Sequence, residues 1–342
     1  MNKKMLKRVL YSLILLFAFW FLFWPLNLVV EQPGDATNIQ PMVKIDGKKD
    51  LKKNQFMVTS VKIGQLRPFS FLLAKSNQHA TIVNKKDIFG NQNNSEYNNV
   101  QKIYMNNSIN NAIINAYKKA KQPVKIKNNG VYVLQVYNNS NFNNKIKPGD
   151  LIKSINGVSL DESKSYIKYV KSLSKHAKMK IQIKRDGHLI SVSGKKAKIA
   201  KDFYGIGIGM IDDISIKENP KIKINPGDLG GPSGGLMFSL QVFSQLTNQQ
   251  YSYNKIAGTG IIDAKGNVGE IGGIDKKIIA ANNSGAKIFF APYVKPTKSV
   301  LALEENHQTN YQTAVKTAKK YAPNMKVIPV KNFNEAINYL KE

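Results

Sequence analysis

The chain has 342 residues, 42% of them hydrophobic, enough for two globular domains. It has no cysteine, which excludes disulfides, thiolate nucleophiles and cysteine-rich zinc sites. The formal charge of +29 comes from 51 basic and 22 acidic residues, but only Arg8, Arg67 and Arg185 are arginines, and the lysines are spread over every segment. Recognition of bases and phosphates favours bidentate arginine, so the pattern argues against a nucleic-acid partner. It fits a solvated surface, or attraction to anionic lipid or wall polymer.

Residues 1–8, MNKKMLKR, form a basic tail, and residues 9–30 carry no charge. As a helix rising 1.5 Å per residue, those 22 residues would span about 33 Å, enough for a hydrocarbon core of ~30 Å. The basic flank predicts a single-pass anchor in the cell membrane, N-terminus cytoplasmic and the bulk extracellular. The alternative is a cleaved signal peptide, but no A-x-A site follows the apolar run.

Residues 31–120 read as an extracytoplasmic linker followed by a strand and helix region that packs with a later domain. FMVTSVKI reads as a strand, and residues 76–107, rich in Asn and Lys, as loop with short helix. From Ser108, apolar residues at 109, 112, 113, 116, 117 and 120 mark one face of a helix, read as core packing.

Between 121 and 200 the pattern changes to short strands. PGD at 148–150, NG at 156–157 and DG at 186–187 predict turns, and an amphipathic helix follows residue 162. The segments GVYV (130–133) and KPGDLIKSINGVSL (147–160) resemble a PDZ domain of the bacterial, protease-associated kind. The resemblance implies a mostly-β domain that holds a peptide as an added strand, with Gly130, Val131, Tyr132 and Val133 forming the receiving edge.

Residues 201–342 alternate strands and helices, an α/β pattern with helices covering a sheet. Within it, Ser233 sits in GGPSGG directly before a run that is apolar almost all round. GPSGG satisfies a G-x-S-x-G nucleophile elbow. A triad in the usual order would need His307, which lies in a polar stretch outside any motif. A neutral lysine can serve instead if burial lowers its pKa. Lys277 is bracketed by Ile274, Ile278 and Ile279 at a helix start, after two glycines. With lysine so common, spacing alone argues nothing, and the local context carries the reading.

The stretches GGPSGGLMFSL, IAGTGIIDAKGNVGEIGGIDKKIIAA and GAKIFFAP closely resemble the proteolytic domain of Lon-type Ser/Lys proteases. The resemblance implies Ser233 as nucleophile, Lys277 as general base and Thr259 as the hydroxyl that orients the lysine. It further implies Gly231, Pro232 and Gly234 as supporting residues, with backbone N–H groups of residues 231–234 facing the oxyanion. Gly230, Ile261 and Asp275 depart from the full-length Lon pattern without touching that set. Asp275 reads as a helix cap or as a bias on the lysine's charge. The implied layout is a transmembrane helix (9–30), a PDZ domain (121–200) and a Lon-type α/β (α+β) domain (201–342). It is similar to membrane-bound, ATP-independent Lon-like proteases of Gram-positive bacteria. No G-x-x-x-x-G-K-[ST] loop is present, and the reading needs no metal or cofactor. Its partners are a peptide or unfolded substrate, the membrane and, since Lon-type domains form rings, further copies of the chain. The alternative is a catalytically inactive PDZ surface protein.

Overall fold

A computed structural model describes residues 3–50, 52, 54–200 and 203–341. The chain opens with a helix, Lys3–Phe23, none of whose residues is buried. It is long and apolar enough to cross a membrane, a test that signal sequences near an N-terminus also pass. The helix ends well short of the expected residue 30. Pro25 cannot continue it, and Leu28–Asn38 is instead a strand in which Val29 and Val30 are 1% and 8% exposed.

That strand belongs to a six-stranded mixed sheet in the order Lys326–Val330, Ile288–Pro292, Lys255–Gly258, Gln55–Gln65, Leu28–Asn38, Thr81–Asn84. The first four strands run parallel to one another. The last two pair antiparallel and bring residues from before 121 into the same layer as residues after 250. Side-chain alternation divides the core between the two faces. Phe56, Val58, Ile256 and Phe290 meet the helices Asn94–Lys119, Gly235–Thr247 and Phe333–Lys341. Met57, Ala257, Phe289 and Ala291 meet Ile274–Asn283 and Asn310–Tyr321. Ile288–Pro292 is buried at every position, as befits a parallel strand covered on both faces.

The helix expected from Ser108 begins earlier, at Asn94. Asn93 Oδ1 accepts from Glu96 N at 2.9 Å and Glu96 Oε2 from Asn93 N at 3.0 Å, a reciprocal cap that starts the helix inside the Asn-rich stretch read as loop.

A second, five-stranded sheet has the order Ile208–Glu218, Val124–Val136, Leu151–Ile155, Lys178–Arg185, His188–Lys195, with the helix Ser163–Ser172 beside it. Val131, Ile152, Tyr166 and Ile181 centre its own core. Asn156-Gly157 and Asp186-Gly187 turn with positive φ at both residues, as the two-residue hairpin requires. Asp150 of the PGD turn is buried and takes a two-pronged hydrogen bond from Arg185, both contacts at 2.7 Å.

The pairing of Ile208–Glu218 with Val124–Val136 runs across the expected boundary at 200/201, and it overturns the expected receiving edge. Gly130–Val133 pairs with residues 210–213 on one side, and Val131 and Tyr132 pair with Ile152 and Leu151 on the other. A strand paired on both sides cannot accept a third. The outer strand of this sheet near the helix is Ile208–Glu218, where Ser163 N donates to Asp212 Oδ1 at 2.6 Å. Its carbonyls at Asp212 and Ile214 already accept from Asn107 and Asn110 of the long helix, at 3.2 and 2.9 Å. The stretch 208–211 lies outside these bonds, at the N-terminal end of that strand.

Candidate active site

Three segments converge on Ser233. The first is its own loop. Gly231 adopts φ 84° and leads into a single 3-10 turn, Pro232–Gly234, which runs into the buried helix Gly235–Thr247. The second is the strand end at Thr259. The third is the helix Ile274–Asn283, whose N-cap Gly273 has φ 64°; a Cβ there would sit 2.8 Å from Val61 Cγ2. Glycine at 273 therefore lets the helix start press against the strand Gln55–Gln65.

Lys277, one turn into that helix, is 4% exposed. Its Nζ lies 2.7 Å from Ser233 Oγ and 3.1 Å from Thr259 Oγ1. Burial drives its pKa down from 10.5 to about 7. Thr259 Oγ1 donates onward to Ser233 O at 3.1 Å, so one hydroxyl ties the amine to the serine backbone. Gly260 N donates to the same carbonyl at 2.8 Å. A neutral amine has a lone pair for the serine proton and can still donate to Thr259. The arrangement is suited to raising a serine alkoxide for acyl transfer.

The expected oxyanion donors are fewer than the sequence suggested. Gly231 N donates to Gln101 O at 3.0 Å, and Pro232 has no N–H. The 3-10 turn takes up the Gly234 amide, which leaves the amide of Ser233 in that segment. Asp275 makes no side-chain cap, since Gly273 holds the N-cap position. It pairs instead with Lys276 Nζ at 3.1 Å, which gives that buried lysine a partner. His307 Nδ1 lies 3.0 Å from Leu301 O on an exposed turn, and no hydrogen bond joins it to Ser233.

Two residues passed over in the sequence support the serine loop. Ser108 Oγ donates to Pro232 O at 2.8 Å, and Gln101 supplies the carbonyl that fixes Gly231. Both lie on the long helix Asn94–Lys119, Gln101 in the part expected as loop with short helix and Ser108 at the expected start of the core-packing helix. The one available signal was a hydroxyl beside its apolar stripe, one residue before Ile109.

The serine and the amine open into a cleft of about 1400 Å³. In a chain with more than twice as many basic as acidic residues, its lining carries seven carboxylates and three lysines. Lys62 is paired with Asp35 at 3.0 Å, Lys276 with Asp275, and Lys277 is the depressed amine. Glu270, also in the lining, has its carboxyl pushed up to about 7. Burial is the main cause and nearby Glu304 adds to it, against the lowering effect of the 2.6 Å hydrogen bond from Asn310 N.

Fold and site together define an α/β protein with a serine–lysine pair in a cleft, joined to a small β domain. Comparison with known families names both parts. Residues 222–338 match the Lon protease (S16) C-terminal proteolytic domain, and residues 105–195 match the PDZ domain. The chain thus combines a PDZ domain with a Lon-type proteolytic domain. It is 36% identical over 117 residues to the Lon protease of Mesomycoplasma hyopneumoniae, covering 32% of this chain and 13% of that protein. It is 27% identical over 154 residues to the Lon protease of Buchnera aphidicola subsp. Schizaphis graminum, covering 45% and 17%. The chain therefore spans less than a fifth of these relatives. Among solved structures, the PDZ domain of an SdrC-like protein from Listeria monocytogenes matches with 30% identity and TM-score 0.24, over 25% of this chain and 93% of that one. Its counterpart from Listeria innocua matches with 34% identity and TM-score 0.23, over 24% and 93%.

Proposed function

We propose that the chain is a membrane-tethered serine endopeptidase that works without ATP on extracytoplasmic peptides or unfolded segments. The observation that carries the reading is the dry amine of Lys277 at 2.7 Å from Ser233 Oγ. Ser233 Oγ attacks the peptide carbonyl as Lys277 takes its proton. The tetrahedral oxyanion is held by the amide of Ser233, at the head of the helix Gly235–Thr247. Collapse expels the new amine, which takes the proton back from Lys277, and water then hydrolyses the acyl-serine with Lys277 again as base. Thr259 keeps the lysine aimed throughout. The PDZ domain holds part of the substrate as an added strand along residues 208–211, next to the helix Ser163–Ser172. Lys3–Phe23 is the anchor, with its basic flank in the cytoplasm.

The test uses purified full-length chain and an unstructured fluorogenic peptide. Ser233→Ala and Lys277→Ala should each abolish cleavage. Wild-type turnover by either variant rules the dyad out. Comparing extracellular peptides from wild-type and Ser233→Ala cells would then find the natural substrate.

A further inference from the structure

The uncharged part of the anchor helix is shorter than the hydrocarbon core it has to cross. From Val9, the first residue past the last basic side chain, the helix runs 15 residues to Phe23. At 1.5 Å per residue that is about 22 Å, against a hydrocarbon core of ~30 Å. A short span is met by thinning of the bilayer, by snorkelling of flanking side chains, or by added apolar surface at its end. The fold places such a surface there. The helix Pro68–Ser76 has six apolar residues among nine, yet none of the nine is buried. Phe69, Leu72 and Leu73, at i, i+3 and i+4, form one stripe and are 46%, 57% and 57% exposed. So short a helix gains little from propensity alone and normally depends on covering its apolar face.

Its depth is set by contact with the anchor. The Phe69 ring lies 6.0 Å from that of Phe21, edge to face. Phe21 is two residues, about 3 Å, inside the end of the membrane helix. Whatever touches Phe21 lies at the outer edge of the hydrocarbon. Trp24, 59% exposed, follows at the same end, where tryptophan suits a membrane interface. Arg67 and Lys75 bracket the stripe with positive charge, complementary to lipid phosphates.

We propose that Pro68–Ser76 is a second membrane contact. It lies in the outer interface beside the anchor, with Phe69, Leu72 and Leu73 among the acyl chains and Arg67 and Lys75 at the phosphates. This rests on the reading of Lys3–Phe23 as an uncleaved span. The contact has a functional consequence. Pro68–Ser76 follows directly on the strand Gln55–Gln65, which lines the cleft from Val58 to Ile63. Two attachment points fix the tilt of that strand and hold the cleft at a set height above the lipid, facing chain segments that emerge from the bilayer.

The absence of cysteine makes the test direct. Leu72→Cys, Leu15→Cys and Leu303→Cys, all at exposed positions, are labelled singly with an environment-sensitive fluorophore. Each full-length chain is reconstituted in phosphatidylethanolamine–phosphatidylglycerol vesicles containing lipid spin-labelled at a shallow or a deep acyl position. The Leu72 label should emit blue-shifted and be quenched at least twofold more by the shallow lipid than the Leu303 label. The Leu15 label should respond most to the deep lipid. If Leu15 is quenched while Leu72 behaves like Leu303, the second contact is refuted and the anchor stands. If Leu15 is not quenched, the anchor reading fails and takes this proposal with it. If Leu72 is shielded from an aqueous quencher yet untouched by spin-labelled lipid, a second copy covers the stripe, which also overturns the proposal.

Discussion

Ser108 Oγ donates a 2.8 Å hydrogen bond to Pro232 O, joining the long helix Asn94–Lys119 to the turn that holds Ser233. Ser108 lies well before the matched proteolytic segment, which starts at 222. Removing its hydroxyl leaves Pro232 O with the Gly235 N–H as its remaining partner and loosens the turn that aims the Ser233 amide. Ser108→Ala should lower kcat about tenfold on a short peptide and leave KM within about twofold. Steady-state kinetics check this, and a thermal melt separates lost aim from lost fold.

The depressed pKa of Lys277 sets the pH dependence. Only the neutral amine can accept the serine proton, so activity should rise with pH and reach half its plateau near 7, the value to which burial brings the amine. A profile of kcat/KM from pH 5 to 9 checks this. A plateau reached only above pH 10 would mean an amine exposed to water.

The same burial costs stability. Unfolded, the amine holds its proton up to its ordinary 10.5; folded, only up to about 7. Unfolding therefore takes up a proton between those values, and stability should rise with pH across that window. Lys277→Met removes this slope. It should abolish cleavage while raising stability at pH 7 by about 2 kcal/mol, as replacement of buried charge by apolar volume often does. Paired denaturant titrations at pH 7 and 9 test both effects.

With Asp35 and Asp275 paired to Lys62 and Lys276, and Lys277 depressed, the cleft also carries Glu31, Asp87, Asp228 and Glu304, and with them a negative balance that favours cationic peptides. At low ionic strength, a peptide with two lysines flanking the scissile bond should show a KM about tenfold below that of its glutamate counterpart. The gap should narrow above ~0.3 M salt as screening shortens. Equal KM values at low salt would remove any steering role for the lining.

Local signals were the most legible part of the sequence. Asn156-Gly157 and Asp186-Gly187 announced their hairpins because positive φ at both residues is a local demand. Lys277 stood out because isoleucines bracket it at a helix start. The start of the long helix was legible in principle, since Asn93 and Glu96 form a reciprocal cap, but the surrounding asparagines read as loop. Features decided at long range were not legible. Gly130–Val133 looked like an open edge because its second partner, Ile208–Glu218, lies some 80 residues further on. Val29 and Val30 continued an apolar run whose helix the fold stops at Phe23 to begin a strand. Ser108 looked like the start of a helix, and only the approach of the serine loop shows what its hydroxyl does.

The central claim is that one lysine amine is kept uncharged beside a serine hydroxyl. The most direct measurement is the titration of Lys277 itself, by the ε-carbon shift of 13C-lysine-labelled protein, with the resonance assigned by its loss in Lys277→Ala. A midpoint near 7 is the expected result. A midpoint near 10.5, with the bulk of the lysines, would contradict it.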